Sequence, residues 1–204
     1  ITIAQNFINN GAKIVVNNGA YVYVGGSFVN LASTEDAEID MTNSTIEVKR
    51  EWVNNNNTGE VFKGHGNQSY VILSSYTQNQ TIGGYTPTYF DNLTLKGSKK
   101  ILDVDNCKVE GILNLENTYL DLNHKKIHLL NPYPEAITEL NGFVRSETNA
   151  DFGYGMIVWN IKDIQDEYIV PFGTGATNYA DIPLTFKIVS SGDNTGRVSF
   201  ATYP

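Results

Sequence analysis

Residues 92–130, NLTLKGSKKILDVDNCKVEGILNLENTYLDLNHKKIHLL, carry the pattern that most limits what this chain can fold into. Apolar pairs recur there with one residue between their members: Leu93/Leu95, Leu102/Val104, Leu113/Leu115, Leu120/Leu122 and Ile127/Leu129. Successive side chains of a strand point to opposite faces, so each pair reads as one very short strand with its apolar face inward. Steps from pair to pair are 9, 11, 7 and 7 residues, and the Gly, Asn, Asp and Lys between them are turn and surface residues. Strands this short do not hold as isolated hairpins. Stacked in a rising coil, each is supported by the turn below and the turn above. The expected fold is therefore all-β, with a parallel β-helix (solenoid) as its main part. Three consecutive pairs would close one triangular turn. The 25 residues from Leu102 to Ile127 and the 27 from Leu93 to Leu120 both fit a structural repeat of about 20–45 residues, without choosing between two and three strands per turn.

The same signal opens the chain. Ile1/Ile3, Ile14/Val16 and Val22/Val24 are spaced pairs, with Asn9-Asn10-Gly11 and Asn17-Asn18-Gly19 between them. Asn-Gly accepts positive φ and so makes tight corners. Tyr21 and Tyr23 fall on the face opposite Val22 and Val24. Residues 32–38 form an acidic loop, followed by Ile39/Met41, Ile46/Val48 and Trp52-Val53, then by the polar run Asn54-Asn55-Asn56-Asn57-Thr58-Gly59. Val61-Phe62, Tyr70 to Leu73 and Thr81-Ile82 continue the strands. About two dozen of the 204 residues are Asn, which suits both loops and stacked corner ladders.

After residue 131 the pattern changes. Asn131-Pro132-Tyr133-Pro134 interrupts the repeat, because proline lacks the donor a ladder needs. Ser146-Glu147-Thr148-Asn149-Ala150-Asp151 reads as a polar connector. Longer strand candidates follow at 155–161, 168–172, 182–189 and 196–201, a spacing that suggests a β-sandwich. The expected division is a β-solenoid over 1–148 and an incomplete β-sandwich-like module over 149–204, truncated at its end.

Composition narrows the function. Lys and Arg number 14 against 22 Asp and Glu, a formal charge of −8. No basic stripe is available to neutralise phosphates, so nucleic acid is not an expected partner. Lys99-Lys100 and Lys125-Lys126 read as solvated turn tips. The single Cys107 excludes an internal disulfide framework and reads as a small buried filler or a turn residue. No stretch approaches the about 18 apolar residues of a membrane span, and no signal peptide is present. The chain begins at Ile1 and stops inside strand-like sequence, which reads as a processed or partial chain.

Chemistry is sparse. Asp103 and Asp105 flank Val104 and point outward, and Asp121 lies on a later strand. Clustered carboxylates with a nearby Lys or Arg would suit a polysaccharide lyase or glycoside hydrolase, or a calcium site. Equally, Asp alternates with apolar residues because an outer face is wet, and the spacing matches no calcium loop. His65, His124 and His128 are the only histidines. His128 points outward between Ile127 and Leu129, and His124 sits in a turn, so the two do not make a metal pair. Gly83-Gly84 and Gly173-Thr174-Gly175 lack the strand–loop–helix setting of a phosphate loop. Asn43-Ser44-Thr45 and Asn92-Leu93-Thr94 are sequons of the kind an Asn-rich chain contains by chance. No catalytic, cofactor-binding or metal residue is expected, and no cofactor. The aromatics carry more: Tyr21, Tyr23, Trp52, Tyr70, Tyr76, Tyr85 and Tyr89 crowd the first half. Exposed aromatic faces bind sugar rings or proteins; inward packing explains rings as well.

Several segments in order carry a family likeness. They are Trp52-Val53-Asn54-Asn55-Asn56, Gly66-Asn67-Gln68, Tyr89-Phe90-Asp91-Asn92-Leu93-Thr94-Leu95, Val109-Glu110-Gly111-Ile112-Leu113-Asn114-Leu115 and Leu120-Asp121-Leu122-Asn123. The tail Tyr168-Ile169-Val170-Pro171-Phe172-Gly173-Thr174 with Ile182-Pro183-Leu184 adds to them. Over roughly residues 50–190 the chain resembles the repeat regions of large Bacteroidota cell-surface proteins, many exported by the type IX secretion system and some of them gliding-motility adhesins. The resemblance implies a secreted or cell-surface, non-enzymatic adhesin or stalk segment, with surface glycans or proteins, and secretion-machinery proteins, as partners. The family's own secretion signal is a separate C-terminal domain, which nothing here matches. A carbohydrate-active β-helix enzyme is the alternative.

Overall fold

The computed structural model describes residues 1–32, 35–63, 68–147, 153–162, 164–174, 180–189 and 196–202. Its body is a stack of short parallel strands on three faces. Seven strands form the first face: Thr2–Ile3, Tyr21–Val24, Ser44–Val48, Ser69–Leu73, Asn92–Lys96, Leu113–Glu116 and Ile137–Leu140. Seven more form the second: Phe7–Asn10, Phe28–Leu31, Trp52–Asn55, Gln80–Gly83, Lys100–Leu102, Tyr119–Asp121 and Phe143–Arg145. The third is built in two sheets, Lys13–Val16, Glu38–Met41 and Phe62–Lys63, then Tyr89–Phe90, Cys107–Val109, Lys126–Leu129 and Met156–Trp159. The result is an all-β parallel solenoid of about six turns, with three strands per turn. Among the described residues there is no α-helix, only a 3-10 turn at Pro134–Ala136, and no helix is long and apolar enough to cross a membrane.

The uneven steps of the 92–130 pattern have a simple origin. Cys107–Val109 is a strand of the third face, with both pair members buried, and it stacks on Ile127 and Leu129. With that strand included, the repeat is regular. Leu93 pairs with Leu113, Lys100 with Leu120 and Cys107 with Ile127, each partner 20 residues on.

Stacking turns the alternation into columns. Val24, Val48, Leu73, Leu95 and Leu115 lie in register up the first face, all buried. Burying a side chain of this size contributes about 1.5–3 kcal/mol. An aromatic column runs beside them. The rings of Phe7 and Phe28 lie 5.1 Å apart and those of Phe28 and Trp52 4.6 Å apart, stacked, because the register sets each above the last. Trp52 is thus a core residue, and its indole nitrogen donates to Thr88 Oγ1 at 2.9 Å.

Asparagine serves the corners. Gly97, Asn117 and Asn141 follow three stacked first-face strands, and all have positive φ (78°, 49° and 54°). Asn tolerates this left-handed geometry better than other side-chain-bearing residues. The Asn141 amide also donates to Asn117 Oδ1 at 3.3 Å, one rung of a side-chain ladder. A second column, Asn9, Asn30 and Asn54, lies in register inside the second face and is buried.

Lys100 departs from the expected solvated turn tip. It shares strand parity with Leu102, so it points inward and is 0% exposed. Its ammonium donates to the carbonyl of Lys96 at 2.6 Å and to that of Ser98. Lys99, one residue away, points out and pairs with Asp121 at 2.8 Å.

The expected boundary between residues 148 and 149 borders a stretch, 148–152, outside the described residues. Beyond it, Met156–Trp159 pairs in parallel with Lys126–Leu129, so the third face extends past that point. Antiparallel pairs then follow: Val198–Phe200 on Met156–Trp159, Glu167–Val170 with Leu184–Lys187, and Gly173–Thr174 with Ala180–Asp181. Tyr168 packs edge-on against Trp159 at 5.2 Å and stacks on Phe186 at 4.8 Å, and Phe186 meets Phe200 at 4.6 Å. These rings close the last turn's interior.

Candidate functional site

The outward row of the first face brings exposed tyrosines together. Tyr21, Thr45 and Tyr70 are in register, with Tyr21 47% and Tyr70 43% exposed. The neighbouring outward row holds Tyr23, Glu47 and Ile72. Where the first face bends into the second, Gly25, Lys49 and Ser74 follow three stacked strands. Gly25 lacks a side chain there, and a Cβ would sit 2.9 Å from the Ala4 carbonyl oxygen. Glycine there lets the two turns pack closely. Beside it lies a groove of about 380 Å³, lined by Tyr23, Gly25, Lys49, Arg50 and residues 74–78.

Two rings flank the floor of this groove. The Lys49 ammonium lies 5.6 Å from the centroid of Tyr23 and 5.9 Å from that of Tyr76, within cation–π range. Tyr76 is 68% exposed. The polar floor is preorganised: Lys49 Nζ meets Glu47 Oε1 at 2.8 Å, Ser74 Oγ at 2.8 Å and the Ser74 carbonyl at 3.0 Å. The Tyr21 and Ser74 hydroxyls donate to the Glu47 carboxylate. Burial alone would raise the Glu47 pKa, but the bonds from Lys49, Ser74 and Tyr21 hold it below the ordinary carboxylate range. Burial, and then the bond to Glu47, push the Tyr21 phenol up to about 12. At neutral pH the network is a fixed carboxylate, a fixed ammonium and a neutral phenol beneath exposed rings. Each polar group of this network is engaged by another.

The other aromatics divide. Trp52 lies in the core, Tyr85 is 91% exposed in the turn after the strand Gln80–Gly83, and Tyr89 lies under Lys108, whose Nζ is 3.7 Å from its centroid.

The three aspartates each bond to a neighbouring turn. Asp103 is exposed and takes a long bond from the Asn123 amide at 3.4 Å. Asp105 accepts the Lys126 backbone N–H at 2.7 Å, tying one turn to the next. Asp121 is buried and engaged by Lys99 at 2.8 Å, by Arg145 and by the Asn123 N–H at 3.1 Å. Burial works to raise its pKa, and the bonds from Lys99 and Arg145 outweigh this and lower it. Each carboxylate thus serves an inter-turn contact, Asp103 and Asp121 sharing Asn123, and Asp121 is a clamp between stacked strands.

His128 points outward, half-buried, its Nε2 3.0 Å from Asn106 Oδ1, and His124 Nδ1 lies 3.1 Å from the Gly153 carbonyl. His65 lies outside the described residues. No group of three or more His, Cys, Asp or Glu among the described residues is placed to hold a metal ion. Cys107 is buried in the core. Gly84 has φ +118° and abuts the Asn54 backbone, so it serves close packing of turns. Of the sequons, Asn43 is an exposed corner, whereas Asn92 is buried, its amide bonded to Ser69 and Ile112.

Sequence reasoning picked out Tyr23 and Tyr76 but not the groove between them. Its signal, Gly25-Gly26 directly after Tyr21–Val24, marks a strand end without side chains.

The fold defines the class: a three-faced parallel β-solenoid with an aromatic-lined groove on one edge. No protein-family model matches the chain, and neither the curated proteins nor the solved structures compared with it include a match.

Proposed function

We propose that this chain is a non-enzymatic binding segment of a secreted or cell-surface protein, a stiff stalk that contacts glycans or proteins through the tyrosine-bearing first face. The observation that carries the reading is the groove in which Tyr23 and Tyr76 flank the Lys49–Glu47–Ser74 network. Ring faces take the apolar face of a sugar, and fixed polar groups orient its hydroxyls. The stacked ladders supply stiffness, since every turn hydrogen-bonds to its neighbours. The engagement of Asp103, Asp105 and Asp121 in contacts between turns supports binding over hydrolysis. The resemblance to Bacteroidota surface repeats supports export, with a type IX pathway and its machinery as the route proposed.

A glycan array tests the reading directly. Saccharide binding is expected, weakened by Tyr76→Ala, with no new reducing ends released from the bound glycan. A silent array would overturn glycan binding and leave protein as the partner, and turnover of the bound glycan would overturn the non-enzymatic reading. Protease shaving of intact source cells, followed by immunoblotting for the chain, tests location; protection from the protease would count against surface display.

A further inference from the structure

The groove presents an uneven charge, and the side chain that carries it is free to act. The three N–H donors of Lys49 are all taken, by Glu47, the Ser74 hydroxyl and the Ser74 carbonyl. Glu47 in turn is bonded by Lys49, Tyr21 and Ser74. These two charges cancel within the floor. Arg50 lines the same groove, is exposed, and forms none of the ion pairs found among the described residues. Its backbone is pinned on both sides: its N–H donates to the Gly26 carbonyl at 3.1 Å, and its carbonyl accepts Gln80 Nε2 at 2.6 Å. An exposed arginine anchored through its backbone therefore gives the groove one net positive charge, in a chain whose formal charge is −8.

A planar guanidinium takes a carboxylate through two parallel N–H bonds. We infer that the groove binds a carboxylated sugar residue, with the sugar ring against Tyr76 and its carboxylate on Arg50. This rests on the glycan-binding reading above and names the ligand class of that site. Thr77 and Gln78 also line the groove and offer polar groups for ring hydroxyls. Neutral sugars lack the group that Arg50 would recognise.

The test is calorimetric titration with trigalacturonate and with 3′-sialyllactose, each beside its carboxyl-reduced form. At low salt at least one acid is expected to bind roughly tenfold more tightly than its reduced form, the scale of one charge-assisted bidentate contact, and the margin should shrink as salt is added. Arg50→Gln should abolish the margin and leave the weaker, reduced-form affinity. Arg50→Lys should restore part of it, and Tyr76→Ala should weaken acid and reduced form alike. Equal affinity for acid and reduced forms, or an undiminished margin in Arg50→Gln, overturns the acidic-sugar assignment and leaves glycan binding standing. Failure of the wild-type chain to bind any of the four saccharides overturns both.

Discussion

The indole of Trp52 lies 4.6 Å above the ring of Phe28 and 7° from parallel with it, one solenoid turn away. The same indole meets Phe62 at 5.9 Å and Phe90 at 5.5 Å, so one side chain joins the second face to the third across three turns. Its removal leaves a void in a column that cannot close without shifting the ladders. Trp52→Ala is expected to cost about 3–5 kcal/mol. Urea unfolding followed by far-UV circular dichroism checks this as a lowered midpoint; a shift equivalent to less than about 1 kcal/mol would refute the shared-column account.

Lys100 makes stability depend on pH in an unusual direction. Burial, with a smaller contribution from the charge of Lys49, depresses its pKa from 10.5 to about 7. Between about pH 7 and 10 the unfolded chain holds this proton and the folded chain does not. Stability from this residue therefore rises with pH across that window and is lowest below it, where both states are charged. The expected gain is on the order of a few kcal/mol. Thermal unfolding of wild type and Lys100→Met from pH 6.5 to 9.5 provides the check: the rise should vanish in the variant.

Cys107 should be inert while the chain is folded. Burial, first among the causes, pushes its thiol up to about 12, so almost no thiolate exists at neutral pH. Reaction with a disulfide reagent at pH 8 is expected only after denaturant is added. Stoichiometric labelling of the native protein within minutes would contradict its place in the core.

Asn117 and Asn141 hold left-handed corners one above the other, bonded side chain to side chain. Asn117→Gly should be nearly neutral, because glycine accepts the same φ. Asn117→Val should cost about 1–3 kcal/mol, because a β-branched residue is strained there. Chemical denaturation of the two variants separates this corner role from generic surface polarity, which would predict little change for either.

Much of the solenoid was legible in the chain because alternation is local. Leu93/Leu95, Leu113/Leu115 and Ile127/Leu129 face inward as their spacing requires. The strand at Cys107–Val109 is hard to read because it follows the turn residue Asn106, has Lys108 at its centre and begins with a lone cysteine. Lys100 was legible in principle: it shares parity with Leu102, and only its charge argued for solvent. Trp52 was ambiguous for the opposite reason, since an aromatic ring suits either side of a strand.

The sequence by itself determined where strands run, which side chains face inward and where Asn or Gly must turn the chain, because these follow from backbone sterics over a few residues. Only the tertiary structure decided which residues meet across turns. Equivalent positions are 21 residues apart at Thr2 and Tyr23, 25 apart at Ser44 and Ser69, and 20 apart at Leu93 and Leu113. Corner lengths that vary this much leave no fixed period from which to read neighbours. Tyr23, Arg50 and Tyr76 share one groove because backbone hydrogen bonds set three successive turns in register, and that register comes from the cooperative closure of the whole stack.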